Sequence, residues 1–412
     1  MARRSPPPTP KLAPLQDSAR PNTDPGAPEL GIAMGGGGAR AAYQVGFLRS
    51  AARLFPQLHV PYVTGVSAGA INAAHLASHH GSFIQSVEEL THLWTSLTVE
   101  DVFRTDSRSL AMNVVRWANQ LFSGGVPGQG VRSLVNTEPL RQYLTDHLHA
   151  VNGEITGIAY NLATGRLKAT AISTSSYTTG QSITWIQGKN ITTWERPQRR
   201  SKETVLTIEH VMASTALPLF FPAVELDDGW HGDGSIRLTA PLSPTLHLGA
   251  QRIVAISTRY QRTYAEADRP EVLGYPPPAQ VAGVLMNSIF LDLLDHDAME
   301  LERLNHLIES TPPHERRGLR PIKLLVLRPS EDLGKLASQY EPELPRAFRF
   351  MTRGLGVRET SSPDFLSFIL FQHDYITKLI DLGERDADAR ADAIEAFLRG
   401  DADNETDGAA AD

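Results

Sequence analysis

Cysteine is absent from the 412 residues. Disulfide staples, thiolate metal sites and cysteine nucleophiles are therefore excluded. No apolar run approaches the roughly 20 residues that a membrane-spanning helix needs. The opening residues, MARRSPPPTPKLAPLQDSARPNTDPGAPE, lack an apolar h-region, so no cleavable secretory signal is expected. A basic surplus is missing too. Residues 1–30 carry +1 and residues 381–412 carry −8, which leaves a neutral body. Nucleic-acid binding needs a basic face, so it is not expected. The expected location is the cytoplasm.

Residues 1–28 are rich in proline and lack aromatics, a composition that predicts disorder. The acidic stretch 383–412 reads as a largely disordered tail, with one short helix around Ile394–Leu398. Between these ends the chain alternates. An apolar run at Leu30–Met34 precedes four glycines, Ala41–Leu54 has helical spacing, Val60–Val66 is again strand-like, and Ala70–Ser78 is helical. Strand, helix, strand, helix predicts an α/β fold with a parallel sheet covered by helices. Further strands are expected at Ile155–Asn161 and Leu167–Ser173, joined by a turn at Ala163–Gly165, and at Ile253–Thr258 and Ile322–Leu327. Long helices fit Val281–Glu309 and Asp364–Leu382. Residues 103–137 break the alternation and read as an insertion or lid over the sheet edge; core packing is the other reading of their helix-spaced Leu110, Val114, Trp117 and Leu121.

Three glycine-containing motifs carry the chemistry. Gly35-Gly36-Gly37-Gly38-Ala39-Arg40 lies between the first strand and the first helix. Glycines let successive N–H groups point one way, so the loop suits an anion, either a phosphate or a reaction oxyanion. Gly36, Gly38 and Ala41 fit a dinucleotide fingerprint, which expects an acidic residue about 20 positions on. Residues 56–65 hold none, and a Walker Lys-Ser/Thr is also missing. The second motif, Gly65-Val66-Ser67-Ala68-Gly69, sits at a strand-to-helix turn that projects a serine hydroxyl. A serine in that place could instead cap the helix. The third motif, His231-Gly232-Asp233-Gly234-Ser235, offers a carboxylate with little steric cover, although Asp-Gly is also a common turn.

Together these motifs resemble the patatin-like phospholipase family. Gly36–Ala41 looks like its G-G-G-x-R-G loop, Gly65–Gly69 like its nucleophile elbow, and Asp233-Gly234-Ser235 like its D-G-G/A motif. Two positions differ: Ala41 stands for the last glycine of the first motif, and Ser235 for the Gly or Ala of the third. Ala213–Pro218, Phe221-Pro222 and Leu238–Leu242 resemble the segments around the third motif. The resemblance covers residues 29–258 closely and implies a domain over 29–382 with a three-layer α/β/α fold.

It implies a Ser67–Asp233 dyad without histidine, an oxyanion hole from Gly36, Gly37 and Gly38 supported by Arg40, and no cofactor or metal. The implied substrate is a phospholipid or other fatty-acyl ester, met by transient contact with a membrane surface. Arg40 could otherwise be a surface arginine. Two alternatives stay open: a Ser–acid–His triad using His247, His296, His306, His314 or His373, and a lipid-binding module without turnover.

Overall fold

The computed structural model describes residues 29–104, 133–270, 272, 274–343 and 364–399. The expected disorder at 1–28, most of the expected insertion and residues 400–412 lie outside the described residues.

The chain forms a mixed α/β fold around one ten-stranded sheet. Its strands are β1 (Leu30–Met34), β2 (Tyr62–Val66), β3 (Ala169–Ser176), β4 (Ser182–Gly188), β5 (Glu195–Arg196), β6 (Arg199–Glu203), β7 (Val224–Leu226), β8 (Gly229–Asp233), β9 (Arg252–Ile256) and β10 (Lys323–Leu327). The order is β10-β9-β1-β2-β3-β4-β6-β5, and β8 joins β3 to β7. From β10 to β3 every neighbouring pair is parallel. Such strands are covered on both faces, so they read as continuous apolar runs, and β1, β2 and β9 are buried throughout. The principal helices are α1 (Ala42–Leu54), α2 (Ala68–Ser78), α3 (Phe83–Ser96), α4 (Thr156–Thr164), α5 (Ile208–Ser214), α6 (Ser243–Leu248), α7 (Pro278–Phe290), α8 (Asp292–Ser310), α9 (Asp364–Ile369), α10 (His373–Asp388) and α11 (Ala391–Arg399). None is long and apolar enough to cross a membrane among the described residues.

One register explains how distant residues meet. β2 runs beside the first part of β3, and its last residue, Val66, pairs with Ser173. β8 approaches from the opposite direction along the same edge, and its last residue, Asp233, pairs with Thr174. Two strands thus end head to head on consecutive residues of β3. Whatever follows Val66 is placed beside Asp233.

Four expectations change. Ile155–Asn161 is not a strand: α4 occupies it, with Ile158 and Leu162 buried on one face, and Gly165 ends it in the left-handed region at φ 76°. The long helix over Val281–Glu309 is two helices, because Leu291 leaves helical geometry at φ −120°. Asp364–Leu382 likewise divides into α9 and α10. The acidic stretch from residue 383 is folded as far as Arg399. Its carboxylates are partners of α1: Arg49 pairs with Glu384, Arg53 with Asp388 and Glu384, Ser50 with Asp388 at 2.6 Å and Tyr43 with Asp386 at 3.1 Å. Ile394, Phe397 and Leu398 of α11 are buried. Composition suggested solvent where the fold supplies arginines.

Candidate active site

Ser67 is the hinge between β2 and α2. It adopts φ 55° and ψ −135°, a conformation that side-chain-bearing residues rarely hold, and such strain persists only where neighbours over-determine it. Here the neighbours do. The Ser67 N–H donates to Ser214 Oγ at 3.0 Å, and that hydroxyl donates to the Ser173 carbonyl at 2.7 Å. Gly69 lies so close to β1 that a Cβ there would stand 2.4 Å from the carbonyl oxygens of Met34 and Gly35. At Gly65 an added Cβ would be 2.3 Å from the Gly69 carbonyl. The two outer glycines of G-x-S-x-G are therefore steric requirements of one tight elbow.

The Ser67 hydroxyl does not cap its helix. It donates to Asp233 Oδ2 at 2.6 Å, across 166 positions of sequence. Asp233 Oδ1 accepts the Ser235 N–H at 2.9 Å, and the Asp233 N–H is taken by the Ala216 carbonyl at 3.0 Å. Gly234 is required between them, since a Cβ there would meet the Ser173 carbonyl at 2.1 Å. Asp233 is fully buried. Burial pushes its carboxyl up to about 7, against the opposing hydrogen bonds from Ser67 and Ser235. Among the described residues no histidine bonds to either side chain. His231 faces Thr174 and Asp228, His247 stacks on Trp194, and His373 meets the Thr95 carbonyl.

The glycine loop passes over this pair. A Cβ on Gly36 would stand 2.8 Å from Ser67 Cβ and 2.9 Å from Ser235 Oγ, so the Gly36 backbone packs directly against the serine. Gly37 and Gly38 have φ of 142° and 57°. Among the described residues, the N–H groups of Gly36, Gly37 and Gly38 donate to nothing within the chain. Free amides beside a hydroxyl can receive negative charge.

Two hydrogen bonds hold the loop from below, the second at the end of a relay. Thr258 Oγ1 donates to the Gly36 carbonyl at 2.9 Å. Trp94 Nε1 donates to Asn72 Oδ1 at 2.6 Å, Asn72 to Gln44 Oε1 at 2.8 Å, and Gln44 to the Gly35 carbonyl at 2.8 Å. That buried relay was invisible in sequence because its members lie in three helices.

Arg40 is not on the surface. It is 3% exposed, in the short 3₁₀ turn that joins the loop to α1. Its guanidinium donates to Asp364 Oδ1 at 2.5 Å and to Ser367 Oγ at 2.6 Å, and lies 4.7 Å from the centre of the Phe368 ring. Asn287 of α7 donates to the other Asp364 oxygen at 2.7 Å. Residues from the C-terminal third thus clamp a loop near the N-terminus. Ala41, the departure from the resembled motif, is fully buried just before α1, and its carbonyl accepts from Asn72 at 3.2 Å.

A narrow apolar cavity of about 40 Å³ opens beside Ser67. Ile71, Leu97, Leu140, Leu217, Phe221 and Phe371 line it. Phe221 lines this cavity, and the rings of Phe220 and Phe221 both pack against Phe103. Among the described residues, no cluster of three or more histidine and carboxylate side chains could hold a metal.

A family model described as patatin-like phospholipase matches residues 32–246, just over half the chain. No curated protein matches. Among solved structures, human GIVD cytosolic phospholipase A2 with methyl gamma-linolenyl fluorophosphonate is similar at 15% identity and a TM-score of 0.44, over 91% of this chain and 59% of that one. VipD from Legionella pneumophila follows at 13% identity and 0.35, over 86% and 67%. The type III effector ExoU is similar at 15% and 0.33, over 89% and 53%. This chain therefore spans little more than half of two of these proteins.

Proposed function

Because the chain belongs to the patatin-like phospholipase family, we propose that it is a lipid acyl hydrolase that cleaves fatty-acyl esters with Ser67 and Asp233. The observation that carries this reading is the 2.6 Å hydrogen bond from the Ser67 hydroxyl to Asp233, beside three unengaged glycine amides.

Ser67 Oγ attacks the ester carbonyl as its proton passes to Asp233. The carbonyl oxygen becomes an oxyanion that accepts from the N–H groups of Gly36, Gly37 and Gly38; one such donor is worth on the order of 3 kcal/mol in related chemistry. Collapse of this intermediate breaks the bond to the alcohol, which takes the proton from Asp233, and leaves an acyl-enzyme. Water then attacks the acyl carbon while Asp233 again accepts a proton. Release of the fatty acid returns that proton to Ser67.

A carboxylate with an ordinary pKa is a poor base, and burial up to about 7 brings Asp233 close to working pH, where a general base is most effective. The apolar cavity beside Ser67 suits the first methylenes of the acyl chain, next to the reacting carbonyl. Arg40 acts through Asp364 and Ser367 to hold the glycine loop, which supports a functional unit that extends from residue 29 well past residue 246. No step calls for a cofactor. The substrate's chain length implies contact with a membrane or micelle surface.

A fluorophosphonate probe tests the reading. It should label wild type and fail on Ser67→Ala and Asp233→Asn. No labelling of wild type, with lipid binding retained, would make the chain a binding module instead.

A further inference from the structure

We propose that a phosphate group binds at the sheet edge between Arg196 of β5 and Arg199 of β6, beside Ser182 and His247. The site is separate from Ser67 and stands whether or not Ser67 is a nucleophile.

Strand register builds it. Arg196 pairs directly with Arg199, Arg199 with Ser182, and Ser182 with Ser175. Direct cross-strand partners project to the same face, with Cβ atoms about 5 Å apart. Two arginines in this relation repel one another. Among the described residues no carboxylate forms an ion pair with either. Arg196 Nε is buried with no partner. Asp297, the acid whose charge Arg199 feels, is engaged by the Leu242 N–H at 2.7 Å.

The opposite face of the same strand shows the contrast. There Arg200 and Lys202 share Asp228 as partner. On one face of β6 the cations have an ion-pair partner, whereas on the other Asp297 opposes the Arg199 charge without forming an ion pair.

Two further polar groups lie beside these arginines. Ser182 is 2% exposed, and its hydroxyl, beside Arg199, has no hydrogen-bond partner. His247 is fixed by stacking on Trp194, with ring centres 4.4 Å apart and planes at 18°. Burial and the two arginines hold its imidazole down to about 4, so it is a neutral hydrogen-bonding group at pH 7. Two permanent guanidinium forks, a hydroxyl and an imidazole make a donor set for a tetrahedral oxyanion.

The ladder ends near the candidate active site. Ser175 donates to the carbonyl of Gly234, the residue after Asp233, at 3.2 Å. Strands lie about 4.8 Å apart, so the Arg199 backbone is roughly 10 Å from Ser175. The phosphate therefore belongs either to a lipid headgroup or to a free phosphate ion, and the experiment separates the two.

In the full-length Ser67→Ala protein, inorganic phosphate is titrated by calorimetry and by thermal unfolding, with and without Arg196→Gln or Arg199→Gln. Phosphate should bind and raise the unfolding midpoint, and each substitution should weaken binding about tenfold or more. Without phosphate, neither substitution should lower the midpoint, because each removes a repulsion. In the active chain, kcat/KM is compared for phosphatidylcholine and diacylglycerol of matched chains in the same mixed micelles. A fall of about tenfold in the phosphatidylcholine-to-diacylglycerol ratio in the arginine variants assigns the site to a lipid phosphate. An unaltered ratio with lost phosphate binding assigns it to the free ion. The proposal is overturned when both substitutions leave phosphate binding and the ratio as in wild type. Absence of ester turnover in wild type, with phosphate binding intact, would refute the hydrolase reading and leave this site standing.

Discussion

Replacing Asp233 by Asn should make the protein inactive and, at alkaline pH, more stable. The folded chain holds the Asp233 carboxyl up to about 7, against an ordinary 3.8. Below 3.8 both folded and unfolded chains carry the proton. Between 3.8 and about 7 the folded chain keeps it and the unfolded chain releases it, so stability falls as pH rises, and above 7 the loss is complete. At about 1.4 kcal/mol per pH unit, wild type loses roughly 3 kcal/mol between pH 5 and pH 7 through this one group. The substituted amide cannot ionise, still offers an oxygen to the Ser235 N–H, and presents its nitrogen to Ser67. The midpoint of the variant relative to wild type should therefore rise by about 3 °C between pH 5 and pH 8 for a chain of this size. Calorimetry at the two pH values measures it, while ester turnover falls by about 10²- to 10⁴-fold. The reasoning fails if the difference in midpoint between variant and wild type is the same at pH 5 and pH 8, or shrinks as pH rises.

Other outcomes follow from the same geometry. In wild type, kcat/KM on a p-nitrophenyl ester should drop about tenfold per pH unit below 7, because Asp233 must be ionised to accept the proton; a flat profile from pH 5 to 8 would contradict this. Gly36→Ala forces a methyl group to within 2.8 Å of Ser67 Cβ, and should cut turnover at least a hundredfold with little change in circular dichroism. Asp364→Ala leaves the Arg40 charge buried and unpaired, and should cost about 3–5 kcal/mol in urea denaturation, with Asp364→Asn intermediate. Ile71→Phe partly fills the narrow apolar cavity, so kcat/KM should shift toward short acyl esters, read from a p-nitrophenyl ester series.

The parts legible in sequence were those whose cause is local. A strained elbow needs glycines at its two ends, and a free-amide loop needs consecutive glycines, so Gly65, Gly69 and Gly36–Gly38 stood out. Strands buried on both faces showed as apolar runs. Elsewhere the deciding partner was distant. Nothing around Asp364 or Asn287 marks them as the clamp on Arg40, and Asn72 looks like an ordinary helix residue until Trp94 and Gln44 surround it. Ile155 and Ile158 fit a strand as well as a helix, because short apolar runs fit both periods. The acidic residues from 383 onward look solvent-bound in sequence because their arginines lie more than 300 positions earlier, in α1.

The head-on meeting of β2 and β8 along β3 has a further consequence. The span between Ser67 and Asp233 is set by neighbouring peptides of a third segment, rather than by the polypeptide that connects them. Loops between residues 67 and 169, or between 176 and 229, can lengthen or diversify without altering the reacting distance. A single residue inserted at 173 would pull the two apart. Substrate preference is thus free to evolve in the excursions, while the ruler that aligns the chemistry is the part that tolerates no change in length.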